Sequence, residues 1–521
     1  MKRPHLLSLL ILSFSLNYSF AIEEVTDQVV DQKTIAYKTL CKQNELYSEK
    51  ALPLDQRISI DCNNNYHHYH SDASRKYYKR GLKASGGVKL ASFNVWHPGK
   101  SNSRFKDLTL VAQILNRYDI VAAQELLPTV GDEASDNERI ISEIQKITEN
   151  KSLNTTMDEL VRIYNVPGYF KILIELRKLD PSWALLLSSR GEAQKDGDVE
   201  ELVGFYYRAT KVRPKVNEYC RDMVTMNKGN PVACTPHFSK FDRGYDYKNL
   251  FSRRPFMGSF VSGKFDFTLL SAHVIFTSPS AGGLRKEILQ KVFNVKSIEE
   301  LGSGATAETY ARLGEVKMTL DFISMIKEKY REKDIIYTGD FNLESNNDAL
   351  QKIIHGHENA VLLNSDLSSV TDIRYDSKGE KTDGHASNYD HFILDEKETS
   401  ECDLNSVKAM DFMTDPVVDE YIREHYLIRS DELLEGYIYS HNERAKEIVS
   451  LRFSELKDEL LKKKRIVRSK IVDTHDEKSI QSEMKDFASR VFNSQFSDDS
   501  YYRVYRELIS DHLPIEINCR N

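Results

Sequence analysis

An apolar run, Ile335-Ile336-Tyr337, stops at Gly339-Asp340-Phe341-Asn342. In a strand, residues two apart point to the same side. Asp340 and Asn342 therefore face one spot just beyond the strand end, and Phe341 turns into the core. Taken alone, that pattern also fits an Asx-type turn. It recurs along the chain, however. Asn94 lies at the end of "GVKLASFNVW", Glu125 at the end of "DIVAAQEL" and His273 at the end of "FDFTLLSAHV", while Asp511 and His512 open "SDHLPIEINC". Asp390, in "NYDHFIL", sits in a strand, where a lone carboxylate is costly unless paired. A turn, a cap or a satisfied core polar group explains each one singly but not their recurrence. Carboxylates and amides suit a hard cation such as Mg²⁺. Two histidines supply acid–base chemistry near neutral pH. Together they point to phosphoryl transfer to water.

The elements that must position these residues are strands, with helices between them. "WALLLSS", "ELVGFYYR" and "RPFMGSFVSG" add apolar strands. "FKDLTLVAQILNRY" carries Phe105, Leu108, Val111, Ile114 and Leu115 on one helical stripe, and "ARLGEVKMTLDFISMIKEKY" does the same through Leu313, Val316, Leu320, Ile323 and Ile326. The pattern favours an α/β or α+β sandwich of sheets with helices outside. Residues 22–86 read as a polar, mostly helix-like extension, and "YHHYHSDASRKYYKR" fits a solvated segment better than a metal site. Helical insertions are expected at about 135–178, 278–310 and 404–496, leaving 87–521 as the main domain.

The 521 residues carry a net charge of −7 and an ordinary apolar content, which argues against wholesale disorder. "MKRPHLLSLLILSFSLNYSFA" reads as a secretory signal over residues 1–21, too short in its apolar core to span a bilayer. Its removal takes the charge from −7 to −9. No later segment approaches a membrane span. All six cysteines follow the signal, which suggests disulfides in a secreted or periplasmic protein. Cys220 and Cys234 are the best local pair. Cys41–Cys62 and Cys402–Cys519 follow by elimination. No CxxC supports a zinc site.

In this order the motifs resemble the endonuclease/exonuclease/phosphatase superfamily, and within it the secreted deoxyribonuclease I type, over roughly residues 88–275, 312–345 and 385–519. The resemblance implies a two-sheet α/β sandwich with the site at the strand ends. It makes Glu125 the main metal ligand, with Asn94, Asp340 and Asn342 completing the metal and phosphate site and Asp511 near the metal. His512, oriented by Asp390, and His273, oriented by Glu201 (Glu200 its rival), form the catalytic pair. Arg253, with Arg254 as rival, contacts phosphate. Cys220–Cys234 falls at a small disulfide loop of the family. The implied cofactor is Mg²⁺ or Mn²⁺. A Ca²⁺ requirement is in doubt, because Asp376 and Asp383 have altered spacing for the family's calcium loops, and the family's second disulfide is missing, because no Cys stands just after "GDFN".

The implied activity is that of a metal-dependent nuclease, monomeric and acting on DNA in preference to RNA. Superfamily members acting on sphingomyelin or inositol phosphates supply the alternative, and a non-catalytic binding protein a third. An acidic chain can still bind nucleic acid through a local cationic groove. "RKYYKRGLK" (Arg75–Lys83) and "KKKRIVRSK" (Lys462–Lys470) are candidates for it, although a solvated face explains both more simply. In the 404–496 insertion, Ile448, Leu451, Leu456 and Leu460 suggest packed helices. A wall or lid there would bring Lys462, Lys463, Lys464 and Arg465 to outer phosphates.

Overall fold

A computed structural model describes residues 58–62, 66–80, 87–98, 106–127, 168–188, 201–223, 231–236, 251, 253–279, 282–373, 375–425 and 502–520. They build two β-sheets. The larger contains β1 (Ile58–Cys62), β2 (Tyr66–Ser71), β3 (Val88–Asn94), β4 (Ile120–Leu126), β5 (Trp183–Ser188), β6 (Leu202–Arg208), β14 (Cys402–Ala409) and β15 (Ile515–Cys519), in the order β1-β2-β5-β6-β4-β3-β15-β14. The smaller contains β7 (Arg213–Pro214), β8 (Ala233–Cys234), β9 (Phe256–Ser262), β10 (Phe265–His273), β11 (Ile335–Asp340), β12 (Ala360–Leu363) and β13 (Asp390–Asp395). Its order is β12-β13-β11-β10-β9-β7, with β8 also on β9.

Two pairs are parallel, one in each sheet: β3 with β4, and β10 with β11. Parallel partners end on the same side. Asn94 is thus in register with Gln124, next to Glu125, and His273 with Asp340. β13 runs antiparallel to β11, so its first residue, Asp390, lies opposite Asp340.

Both faces of the central strands are covered, which is why they read as continuous apolar runs. Period-two alternation splits each strand between two cores. Leu269 and Ile336 face the inter-sheet core with Leu90, Ile120, Phe205 and Ile515. Leu270 and Tyr337 face the helix side, against Leu313, Val316 and Leu320 of a helix spanning Tyr310–Tyr330. Gly339 is required where β10 and β11 deliver their polar ends. It has φ +146°, and a Cβ there would lie 1.8 Å from the Ala272 carbonyl oxygen.

Two cystines are present. Cys220–Cys234 joins a short helix (Glu218–Met223) to β8, and Cys402–Cys519 ties β14 to β15 at directly paired positions. The expected Cys41–Cys62 pair falls partly outside the described residues. Among the described residues no helix is long and apolar enough to cross a membrane.

Three expectations need correction. Residues 58–71, read as part of a helix-like extension, instead add β1 and β2 to the larger sheet, and a helix appears only at Asp72–Arg80. The histidines there are not a solvated cluster, because His67 and His70 are buried. The expected helical insertion at 404–496 begins with β14, a strand of the sandwich, before a helix at Pro416–His425. The basic run Lys462–Lys470 and the expected lid lie outside the described residues.

Candidate active site

The strand ends converge on Asp340. One of its oxygens does what the simplest account of "GDFN" expects: Oδ1 accepts the Asn342 backbone N–H at 2.9 Å, closing an Asx-type turn. The other oxygen, Oδ2, faces three side chains. The Asn94 amide Nδ2 donates to it at 3.1 Å, His512 Nε2 lies 3.4 Å away and His273 Nε2 3.7 Å away. Asn342 sits at φ +52°, and its Nδ2 donates to the Val274 carbonyl.

Each histidine has its own carboxylate on the opposite ring nitrogen. His512 Nδ1 is 2.7 Å from Asp390 Oδ2, which also accepts the Ser368 hydroxyl at 2.7 Å. His273 Nδ1 is 2.7 Å from Glu201 Oε2. Arg253 reaches the same carboxylate, with Nη2 donating to Oε1 at 2.8 Å. Arg254 turns away towards the Pro236 carbonyl. Glu200 lies outside the described residues. Burial opposes charge on both rings. The Glu201 carboxylate nevertheless raises His273, and Asp390 with Asp340 raises His512 well above the ordinary range.

Glu125 comes from a bulge in β4 and adopts φ +56°. Its Oε1 accepts Asn94 Nδ2 at 2.7 Å and lies 3.5 Å from His273 Nδ1. Its Oε2 is 2.7 Å from Nε2 of His97. Burial alone would push the Glu125 carboxyl up, but His273 and His97 hold it down at about 2. In the same way burial opposes charge on His97, while Glu125 and Glu201 raise it to about 9.

Around this centre, burial pushes the Asp511 carboxyl up, His512 pulls it down and the Glu125 charge raises it, and its Oδ1 is buried without a hydrogen-bond partner. Its Oδ2 turns towards Arg506, whose Nη2 is 3.5 Å away. Lys106 is buried beside it and donates to the Ile509 carbonyl. Burial pulls its pKa down to about 7 against the pull of Asp511 and Glu125. Lys106 Nζ and the Arg506 guanidinium both lie 5.3 Å from the Trp96 ring centroid.

The structure thus brings together Asn94, Glu125, Glu201, Arg253, His273, Asp340, Asn342, Asp390 and His512, with Asp511 beside them and one of its oxygens 3.5 Å from Arg506. Sequence reasoning missed His97 and Ser368. For His97 the only signal was its place three residues after Asn94. Ser368 carries no local signal, being 22 residues from Asp390 in a loop.

Of the four carboxylates, Glu125, Asp340 and Asp390 are buried, and the Glu201 side chain is 9% exposed. Among the described residues, Arg253 is the only arginine or lysine within ion-pair distance of any of them. A divalent cation is the natural counter-charge for such a set.

No protein-family model and no curated relative matches the chain. Solved structures similar to it include an endonuclease/exonuclease/phosphatase family protein from Bacteroides thetaiotaomicron, at 14% identity and TM-score 0.31, covering 60% of this chain and 84% of that one. A mannosyl-6-phosphatase from the same organism matches at 12% identity and TM-score 0.30, covering 62% and 87%. D. rerio TDP2, complexed with a single-strand DNA product, matches at 11% identity and TM-score 0.27, covering 59% and 84%. Likeness at this level assigns no activity.

Proposed function

We propose that this chain is a divalent-metal-dependent phosphodiesterase of the endonuclease/exonuclease/phosphatase type that hydrolyses nucleic acid, DNA in first place. The observation that carries this is the histidine pair. Two rings, each backed by its own carboxylate at 2.7 Å, present Nε2 to the same Asp340 oxygen at 3.4 and 3.7 Å. A core histidine needs no such carboxylate, and a binding surface needs no such pair.

The donor set fits a cation. Glu125 would hold it, with Asn94 and Asp340 beside it. Once bound, it neutralises charge on a phosphate oxygen and acts as a Lewis acid. The chain's own groups do the rest. One histidine, neutral at Nε2, takes the proton of the attacking water. The other, protonated, gives its proton to the leaving oxygen, so that one P–O bond forms as another breaks. Glu201 and Asp390 fix each ring with its proton on Nδ1 and stabilise the imidazolium as it forms. Arg253, held by Glu201, binds a nonbridging oxygen.

Residues 1–21 act as an export signal in this account, and the two cystines support an oxidising destination. Substrate class is tested with the purified full chain and Mg²⁺ or Mn²⁺ on plasmid DNA, single-stranded RNA, sphingomyelin vesicles and inositol phosphates. Faster turnover of DNA than of every other substrate is expected. Turnover confined to lipid or inositol phosphate would replace the nucleic-acid assignment, and no turnover of any would reject it.

A further inference from the structure

We infer that His97 is a direct metal ligand. Together with Glu125 it would make the centre a mixed nitrogen–oxygen site that selects Mn²⁺ or another borderline divalent cation over Mg²⁺. This rests on the metal-dependent reading above and goes beyond it, since an all-oxygen centre needs no third histidine.

Geometry carries the inference. His97 Nε2 and Glu125 Oε2 are 2.7 Å apart, yet Glu125 Oε2, on a residue only 7% exposed, makes no aligned hydrogen bond. Two donors that share one cation at ~2.1 Å and a right angle sit ~3 Å apart. Glu201 Oε1 lies 3.6 Å from the same His97 nitrogen, so that His97, Glu125 and Glu201 surround one point. The Glu201 oxygens are taken up by Arg253 and His273, which leaves it as a neighbouring counter-charge rather than a ligand.

The backbone is bent to put His97 there. Trp96 and His97 are consecutive non-glycine residues in the left-handed region, at φ +51° and +52°. Pro98 follows, and a residue before proline prefers extended backbone. Such strain persists only where surroundings enforce it, and it concentrates at functional sites. Here the enforcement is visible. Trp96 N–H donates to Asn94 Oδ1, the Trp96 ring lies within cation–π distance of both Lys106 and Arg506, and Pro98 packs so tightly on Gly168 that a Cβ there would meet its backbone at 2.4 Å. A histidine with only a packing role would not need this conformation. Imidazole favours borderline transition metals over Mg²⁺, which demands oxygen ligands.

The test is pulsed electron paramagnetic resonance on the full chain, stripped with chelator and reloaded with one equivalent of Mn²⁺. The expected spectrum shows ¹⁴N coupling of a directly bound imidazole, lost in His97→Gln. Calorimetry should show the variant binding Mn²⁺ more weakly by more than the about 10- to 100-fold that loss of an outer-shell partner costs, and with its preference for Mn²⁺ over Mg²⁺ reduced. If His97→Gln does not fold, His97→Ala and ¹⁵N-histidine-labelled wild-type protein answer the same question. Mn²⁺ bound without nitrogen coupling, or with coupling that survives in the variants, overturns the inference and leaves the phosphodiesterase reading intact. Failure of the wild-type chain to bind any divalent cation overturns both.

Discussion

Replacing Asp390 by Asn tests the pairing of carboxylate and histidine with little change of shape. Asp390 is fully buried, and its Oδ2 serves both His512 Nδ1 and the Ser368 hydroxyl at 2.7 Å. An amide can keep one acceptor in that place but loses the charge. Opposite unit charges centred 3–4 Å apart, at an effective dielectric of about 20, attract by about 4–6 kcal/mol. If that attraction stabilises the imidazolium formed as His512 works, its loss lowers kcat by about 10³- to 10⁴-fold. A merely structural aspartate would instead show its loss in stability. Asp390→Asn should therefore melt within a few degrees of the wild type while kcat on a phosphodiester collapses and KM changes little. A folded variant within tenfold of wild-type kcat would refute the argument.

Other predictions follow from the same structure. Burial holds His67 down at about 3 and His391 at about 4. Both are therefore neutral when folded, whereas the unfolded chain takes up protons below pH 6.5. Stability then falls with pH, by about 2 kcal/mol for each at pH 5 relative to neutrality. His97, His273 and His512, raised on folding, act in the opposite sense over this range, so the test is a difference: between pH 7 and 5, His67→Gln should lose about 2 kcal/mol less than the wild type in denaturant melts, and an unchanged pH dependence would contradict this. Gly339→Ala should cost about 3 kcal/mol or more, because its Cβ would collide with the Ala272 carbonyl; a melting temperature within about 2 °C of wild type, a cost of about 1 kcal/mol or less, would show that the strand pair yields. Replacing Cys402 and Cys519 by Ser, a pair 117 residues apart, should destabilise by about 5 kcal/mol, against about 3 kcal/mol for Cys220 and Cys234, 14 apart. Equal losses on thermal unfolding would mean that loop length does not set the effect.

Much of the site was legible because strand periodicity and parallel register are simple rules. Apolar runs covered on both faces end in polar residues, and a polar strand end can be recognised without knowing its partner. The Asx-type turn and the functional assignment of Asp340 proved compatible, since the two carboxylate oxygens have different partners. What escaped was set by tertiary context. β2 reads "YHHYHS", a poor strand by hydrophobicity. It forms because its backbone pairs with β1 and β5 and because His67 and Ser71 find cover. β14 carries half-exposed polar residues along an edge and is held by pairing with β15 and the Cys402–Cys519 bond. His97 was illegible because its aim depends on two consecutive left-handed residues without a glycine to signal them.

The most direct measurement is plasmid cleavage by the chelator-stripped chain as Mn²⁺ or Mg²⁺ is added back, run beside Glu125→Ala and the double variant His273→Ala/His512→Ala, each shown to be folded by circular dichroism. No cleavage is expected in EDTA, with full recovery of the wild type on adding metal and no recovery of either variant at any metal concentration. Undiminished cleavage in EDTA, or by the folded double-histidine variant, would contradict the metal-dependent, two-histidine reaction.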